Sequence, residues 1–361
     1  MELRNKAAKE TFFTIKFKSE PTNVEFKKIS HAIENNLLSP EAHELLKTST
    51  LMGDISSDQL TFSNDLTCDF IVKIVFLNTM NKKLEEIIRT IFVGYVGMEK
   101  QLPRPKVYEP FYDDSRLVIV DAETAYQLDQ INEIITLKFM REYGYFEKLN
   151  LDFDEKLLNK LLLKFNNPYS KKYLYEYEDF IKSNGGEELL NNSAKLLSEI
   201  YEVSLGFIIG HEIGHCYLGH SNYSDDLQRN HDMEIQADEC AVFFIREFLK
   251  YYKQKLGQEH EVLQLFGIAS AIISMAITSK KSPMQFSSTH PSLRTRYMLV
   301  IFSIFNLFGK KCAKDVVEIV KWTCEESKLH QWDENWWTVS PEYFEEIEEK
   351  LPEIRKNAEI I

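Results

Sequence analysis

Apolar positions recur at spacings of three and four through Leu196, Ile200, Val203, Phe207, His211, His215 and Leu218. That period predicts a helix in which two histidines stand in line with the buried face. A polar stretch, SNYSDDLQRN, follows. HDMEIQADECAVFFIREFLKYY then begins a second helix with Glu234, Ala237, Asp238, Ala241 and Ile245 along one face. The longest uncharged run, VLQLFGIASAIISMAITS over Val262–Ser279, barely reaches membrane-spanning length and carries Gln264, Gly267 and several hydroxyl side chains. It reads as a buried core helix.

The first hundred residues mix strand-like runs at Phe12–Phe17 and Phe70–Leu77 with helical spacing over Lys82–Met98. Pro103, Pro105 and Pro110 mark QLPRPKVYEPFYDDS as a linker, because proline removes a donor and fixes φ. A strand is expected at Arg116–Val120, then helices over Glu123–Tyr143 and Glu155–Phe165. The fold class is therefore α+β and mostly helical. The expected division is an N-terminal α+β region at 1–110, a central domain at 111–300 and a helical, acidic, tryptophan-rich extension at 301–361.

Charge narrows the partners. The formal net charge of −13 disfavours a grip on phosphate backbones, so nucleic acid is not expected. Cys68, Cys216, Cys240, Cys312 and Cys324 have no CxxC spacing, which suits a reducing compartment better than a disulfide framework. The N-terminal residues have no apolar leader, and a cytoplasmic location away from membranes is expected. After Cys324 the chain holds 11 acidic and 4 basic residues, and Trp322, Trp332, Trp336 and Trp337 cluster in the same region. Such a cluster is either a small satellite core or a binding surface.

The chemistry lies in His211, Glu212 and His215, an HExxH motif. On a helix, positions i and i+4 share a face, so two imidazoles can reach one ion with Glu212 beside them as general base. Gly206, Gly210 and Gly214 recur every four residues on the same helix. Each costs about 1 kcal/mol there relative to alanine, which points to close packing against a neighbouring element. His220 does not fit HExxHxxGxxH, which needs Gly and His where this chain has Leu218 and Ser221, and it reads as a helix-end residue. Glu234, at the start of the second helix, can fold back to complete a His2Glu zinc site with an open position for water. Asp238, one turn on, can orient a ligating histidine. Taken alone, both acids also fit an ordinary helix first turn. In SSTHPSLRTRYML, His290 precedes Pro291 and Arg296 follows; by themselves these fit a capping or packing role.

Together, HExxH, then ExxAD, then HP…R resemble the gluzincin metallopeptidases. LGFIIGHEIGHCYLGHS, EIQADECA, FGIASAIISM and STHPSLRTRY are more closely similar to the phage-exclusion peptidases of the Lit family, peptidase U49, over about residues 193 to 300. The resemblance implies a zincin-like core, with zinc on His211, His215 and Glu234, Glu212 as catalytic base, His290 near the substrate and Arg296 in support. It also implies a cytosolic protease, switched on by a phage-derived activator, that cleaves translation elongation factor Tu. Control is expected in residues 1–110 and 301–361, with the Trp322–Trp337 patch docking the trigger or the substrate. The alternatives are a zinc endopeptidase with another target, or a non-catalytic metal-stabilised sensor module.

Overall fold

The structure is a computed structural model that describes residues 82–96, 106–108, 114–121, 187–220, 225–256, 261–278, 282–326 and 335–358, with positions 4, 7, 8, 72, 124, 125, 127–129, 131, 132, 135 and 136. The strand expected at Phe12–Phe17, the helix expected at Glu155–Phe165 and Trp332 lie outside these residues. The chain divides into two compact units, Met1–Thr124 and Ala125–Ile361.

In the first unit, α1 (Lys82–Thr90) buries Leu84 and Ile88 on one face and joins Arg89 to Glu85 at 2.7 Å. It leads into β1 (Ile91–Val96), which runs parallel to β3 (Arg116–Asp121); the short β2 (Lys106–Tyr108) lies antiparallel on the other side of β3. The helix expected to reach Met98 therefore stops at Thr90. The run IFVGYV is β-branched and aromatic, and pairing with β3 overrides its helical spacing. Val72, the one described residue of Phe70–Leu77, is helical rather than extended, an ambiguity inherent in short apolar runs. Leu117 to Val120 are all at most 2% exposed, so β3 is covered on both faces.

The second unit is helical wherever it has regular structure among the described residues. α2 (Glu187–Leu218) ends at Gly219, whose φ of +69° lets the backbone N–H of His220 return to the carbonyl of His215 at 2.9 Å. α3 (Leu227–Leu256) starts four residues before the histidine that opens its predicted pattern, because Asp226 caps it: its carboxylate accepts from the N–H of Arg229 at 3.1 Å. α4 (Glu261–Thr278) is buried from Gln264 to Ser274, as expected of a core helix. A Cβ on Gly267 would lie 2.6 Å from the carbonyl of Ile200 and 2.7 Å from the amide of Ser204, so α4 meets α2 backbone to backbone. No helix among the described residues is long and apolar enough to cross a membrane. α5 (Leu293–Phe308) is capped by Ser292 and passes without interruption through residue 300, where the sequence suggested a boundary. Gly309, at φ +91°, turns the chain into α6 (Lys310–Glu326), and α7 (Pro341–Ala358) follows.

Buried polar pairs join α2 and α4 to each other and to the segment around residues 127–132. Asn132 donates to Ser204 at 3.0 Å, Gln264 donates to Glu199 at 3.2 Å, and Ser274 donates to Gln127 at 3.1 Å. Burial and the neighbouring Glu199 carboxylate push Glu202 from its usual 4.5 up to about 8. Between those two values the unfolded chain ionises at this position while the folded chain keeps its proton, so rising pH destabilises the fold. Glu202→Gln, which is neutral at every pH, is expected to remove that slope. Urea unfolding midpoints should then fall less between pH 5 and pH 8 in the variant than in the wild type, and equal slopes would contradict the assignment.

Candidate metal centre

Close contact between α2 and α3 assembles the site. A Cβ on Gly214 would sit 3.1 Å from Cα of Ala237, and one on Gly210 would sit 3.2 Å from Cα of Ala241. The glycine repeat thus meets alanines, and His215 and Asp238 each stand one residue beyond this contact. His211 and His215 face Glu234 across it. The Nε2 atoms of the two histidines are 3.1 Å apart, and the Glu234 carboxylate lies 3.5 Å from each. Of the described residues, only these three bring metal-ligating atoms this close together, all within 4.8 Å. Glu212 is buried on the same helix.

The second helix and α5 supply the surrounding charge. Asp238 is 1% exposed and accepts from Nδ1 of His211 at 2.9 Å. It also accepts two hydrogen bonds from Arg296, from Nε and Nη2, both at 2.7 Å. Such a paired, planar grip holds a carboxylate ionised and oriented. Arg296 Nη1 additionally lies 3.5 Å from Glu234, and His290 Nε2 lies 3.6 Å from it. Six of the seven residues singled out in the sequence are linked by these distances, and Glu212 lies between two of them in the chain.

His290 keeps nearly half of its side chain exposed. Its loop is pinned to the start of α3, where Asn230 donates to the carbonyl of Ser288 at 2.9 Å and the ring of His231 donates to that of Ser287 at 2.8 Å. Neither residue stood out in the sequence, since an Asn and a His in a polar stretch carry no spacing signal. The backbone N–H of Arg294 donates to the carbonyl of Pro283 at 3.0 Å, tying the same loop to α5. Arg294 also donates to the carbonyl of Trp336 at 2.6 Å, and the Tyr297 and Trp336 rings meet edge to face at 5.6 Å. Trp336 and Trp337 are each 2% exposed, so they form a satellite core behind α5 and present no docking surface; that part of the expectation for the tail is corrected.

The electrostatics suit a cation. Burial alone would lower His211, but its hydrogen bonds and charge contacts with Asp238 and Glu234 outweigh this and raise it to about 10. Burial and the adjacent His211 charge press His215 down to about 3. Burial would raise both acids, yet His211 and Arg296 hold Glu234 and Asp238 below the usual carboxylate range. The protein's own charges therefore keep one positive charge among these ligating atoms, a place a metal ion can take from a proton. The spacing agrees: tetrahedral zinc with bonds of about 2.0–2.1 Å sets its ligands roughly 3.3–3.4 Å apart. The residues present fit a divalent ion bound by two imidazoles and a carboxylate.

Residues 166–309 match the family model of peptidase U49. That segment is similar to peptidase U49. No curated protein and no solved structure matches the chain. The matched region holds every site residue named above and stops at Gly309, the cap of α5. Trp336, which braces α5 from behind, lies outside it.

Asp238→Ala is expected to lower the affinity of this site for a divalent ion about 10- to 100-fold, since His211 loses the acceptor that orients its ring and Arg296 loses its partner. Competition with a chelator measures this, and equal affinity in wild type and variant would remove Asp238 from the site.

Proposed function

We propose that the chain is a zinc-dependent endopeptidase in which His211, His215 and Glu234 hold the ion. The observation that carries this reading is the approach of two imidazole nitrogens, 3.1 Å apart, to one buried carboxylate, each nitrogen 3.5 Å from a different oxygen of Glu234, inside a peptidase-like region. Zinc bound there supplies Lewis acidity and draws the pKa of water down to about 7. Glu212 accepts the proton of the attacking water and returns it to the leaving amine. His290, on its pinned and half-exposed loop, donates a hydrogen bond to the oxyanion that develops on the peptide carbonyl. Asp238 and Arg296 keep His211 and Glu234 in place. A general base beside an open ligand position favours turnover over a purely structural or sensor site.

On its resemblance to the phage-exclusion peptidases, we further propose that the enzyme acts in the cytoplasm as a latent antiphage protease that cleaves elongation factor Tu. A trigger of phage origin would activate it by binding the active state more tightly than the latent one. With Trp336 and Trp337 buried, the trigger is assigned to other surfaces of the chain.

Protein purified without added metal is expected to carry one zinc per chain by elemental analysis, and His211→Ala with His215→Ala to carry none. Glu212→Gln should keep the zinc and the fold while losing peptide hydrolysis. Zinc retained by the double variant, or full activity in Glu212→Gln, would overturn the reading.

In cells, co-expression with phage proteins should arrest growth and produce a discrete fragment of elongation factor Tu, both absent in Glu212→Gln. Arrest that persists in that variant would detach the antiphage role from the peptidase site. An intact elongation factor alongside another cleaved protein would redirect the substrate.

A further inference from the structure

The two histidine ligands are oriented by different chemistry. Nδ1 of His211 faces a carboxylate, which can only accept, so His211 keeps hydrogen on Nδ1, and its Nε2 binds metal once the ion displaces the proton held there. Nδ1 of His215 faces Nδ1 of another imidazole, His220, at 2.9 Å. Only one hydrogen fits between them, so one ring donates and the other accepts. His215 can ligate through Nε2 only if it is the donor.

We infer that His220 and Gln236 form a hydrogen-bond relay that fixes the tautomer of His215 and so makes it a metal donor, an inference that rests on the metal-centre reading above. Nε2 of His220 lies 3.1 Å from Oε1 of Gln236. A carbonyl oxygen there accepts, which places the hydrogen of His220 on Nε2 and leaves its Nδ1 bare. That bare nitrogen takes the hydrogen of His215, whose Nε2 is then a lone pair directed at His211 and Glu234, 3.1 and 3.5 Å away. A donor in place of the Gln236 oxygen would favour the reverse arrangement, with an N–H of His215 where the metal binds, and so weaken His215 as a ligand.

The backbone puts the relay in reach. Gly219, at φ +69°, turns the chain at the end of α2 so that the N–H of His220 meets the carbonyl of His215 at 2.9 Å, folding the ring back over its neighbour. Gln236 is two residues beyond Glu234 on α3, so the relay and the carboxylate ligand ride on one helix turn. Both ring nitrogens of His220 are engaged in the relay, which makes it a positioning residue and not a fourth ligand. Metal-ligating histidines are tuned through their second nitrogen, and loss of that partner typically weakens binding 10- to 100-fold.

Two measurements on the full chain test the relay. In protein labelled with ¹⁵N-histidine and free of metal, long-range ¹H–¹⁵N correlations should show His215 with hydrogen on Nδ1 and His220 with hydrogen on Nε2. Zinc affinity by chelator competition should fall about 10- to 100-fold in His220→Ala. It should also fall in Gln236→Lys, a surface change that puts a donor where the relay needs an acceptor, and fall less in Gln236→Leu. Hydrogen on Nε2 of wild-type His215, or wild-type affinity in both His220→Ala and Gln236→Lys, overturns the relay. If the wild type binds no zinc, the metal-centre reading falls, while the tautomer pattern still decides whether the relay exists.

Discussion

The site depends on how closely α2 and α3 approach. Side chains normally hold packed helices 8–10 Å apart, and only small residues let two backbones touch. At Gly210 against Ala241 and Gly214 against Ala237 the chain uses the smallest pairs, and a Cβ on Gly214 would come within 2.9 Å of Cβ of Cys240. Short side chains are also what the chemistry needs. An imidazole from one helix and a Glu from the other meet without stretching only when their helices nearly touch. Gly267 repeats the device between α2 and α4, so α2 is held at backbone distance on two sides and its histidines have little freedom to tilt.

Close packing buries charge, and buried charge must be compensated. Two carboxylates, Glu234 and Asp238, each 1% exposed, sit one helical turn apart on α3. Their mutual repulsion and lost hydration are offset by Arg296, which reaches both, and by the imidazole of His211. Removing one member of such a buried set typically costs 3–5 kcal/mol, because its partner is left uncompensated. The arrangement is therefore a poor choice for stability alone, and it suits a site able to hold a cation.

Much of this could be read from the sequence because it follows helical arithmetic. His211 and His215 at i and i+4, Glu234 and Asp238 at i and i+4, and the glycine repeat at every fourth residue announce their faces directly. What escaped depended on tertiary geometry. His220 looked like a helix-end residue, and it is one; its contact with His215 arises from the turn at Gly219, which no spacing rule reports. Asn230 and His231 act through carbonyls more than fifty residues away. Trp336 and Trp337 could be core or surface until a partner face was known, and the ring of Tyr297 decides it. In the first unit, the switch from helix to strand at Ile91 hinged on a pairing partner 25 positions later, Arg116.

The placement of α5 has a consequence for how such a protein diversifies. One side of it carries Arg296 to the candidate metal centre, while Arg294 and Met298 on the same helix are bonded to Trp336 and Tyr343 of the tail. The bonds to the tail are made by the side chain of Arg294 to a backbone carbonyl and by the hydroxyl of Tyr343 to the carbonyl of Met298. Each bond therefore joins a side chain on one partner to a main-chain carbonyl on the other, and the packed rings of Tyr297 with Trp336 and of Phe305 with Phe344 add side-chain shape to the match. A different C-terminal segment could be grafted behind this helix provided it offered a carbonyl, a hydroxyl and aromatic rings at matching heights. The chemistry on one side of α5 and the attachment on the other can thus change at separate rates, with a single helix as their common wall.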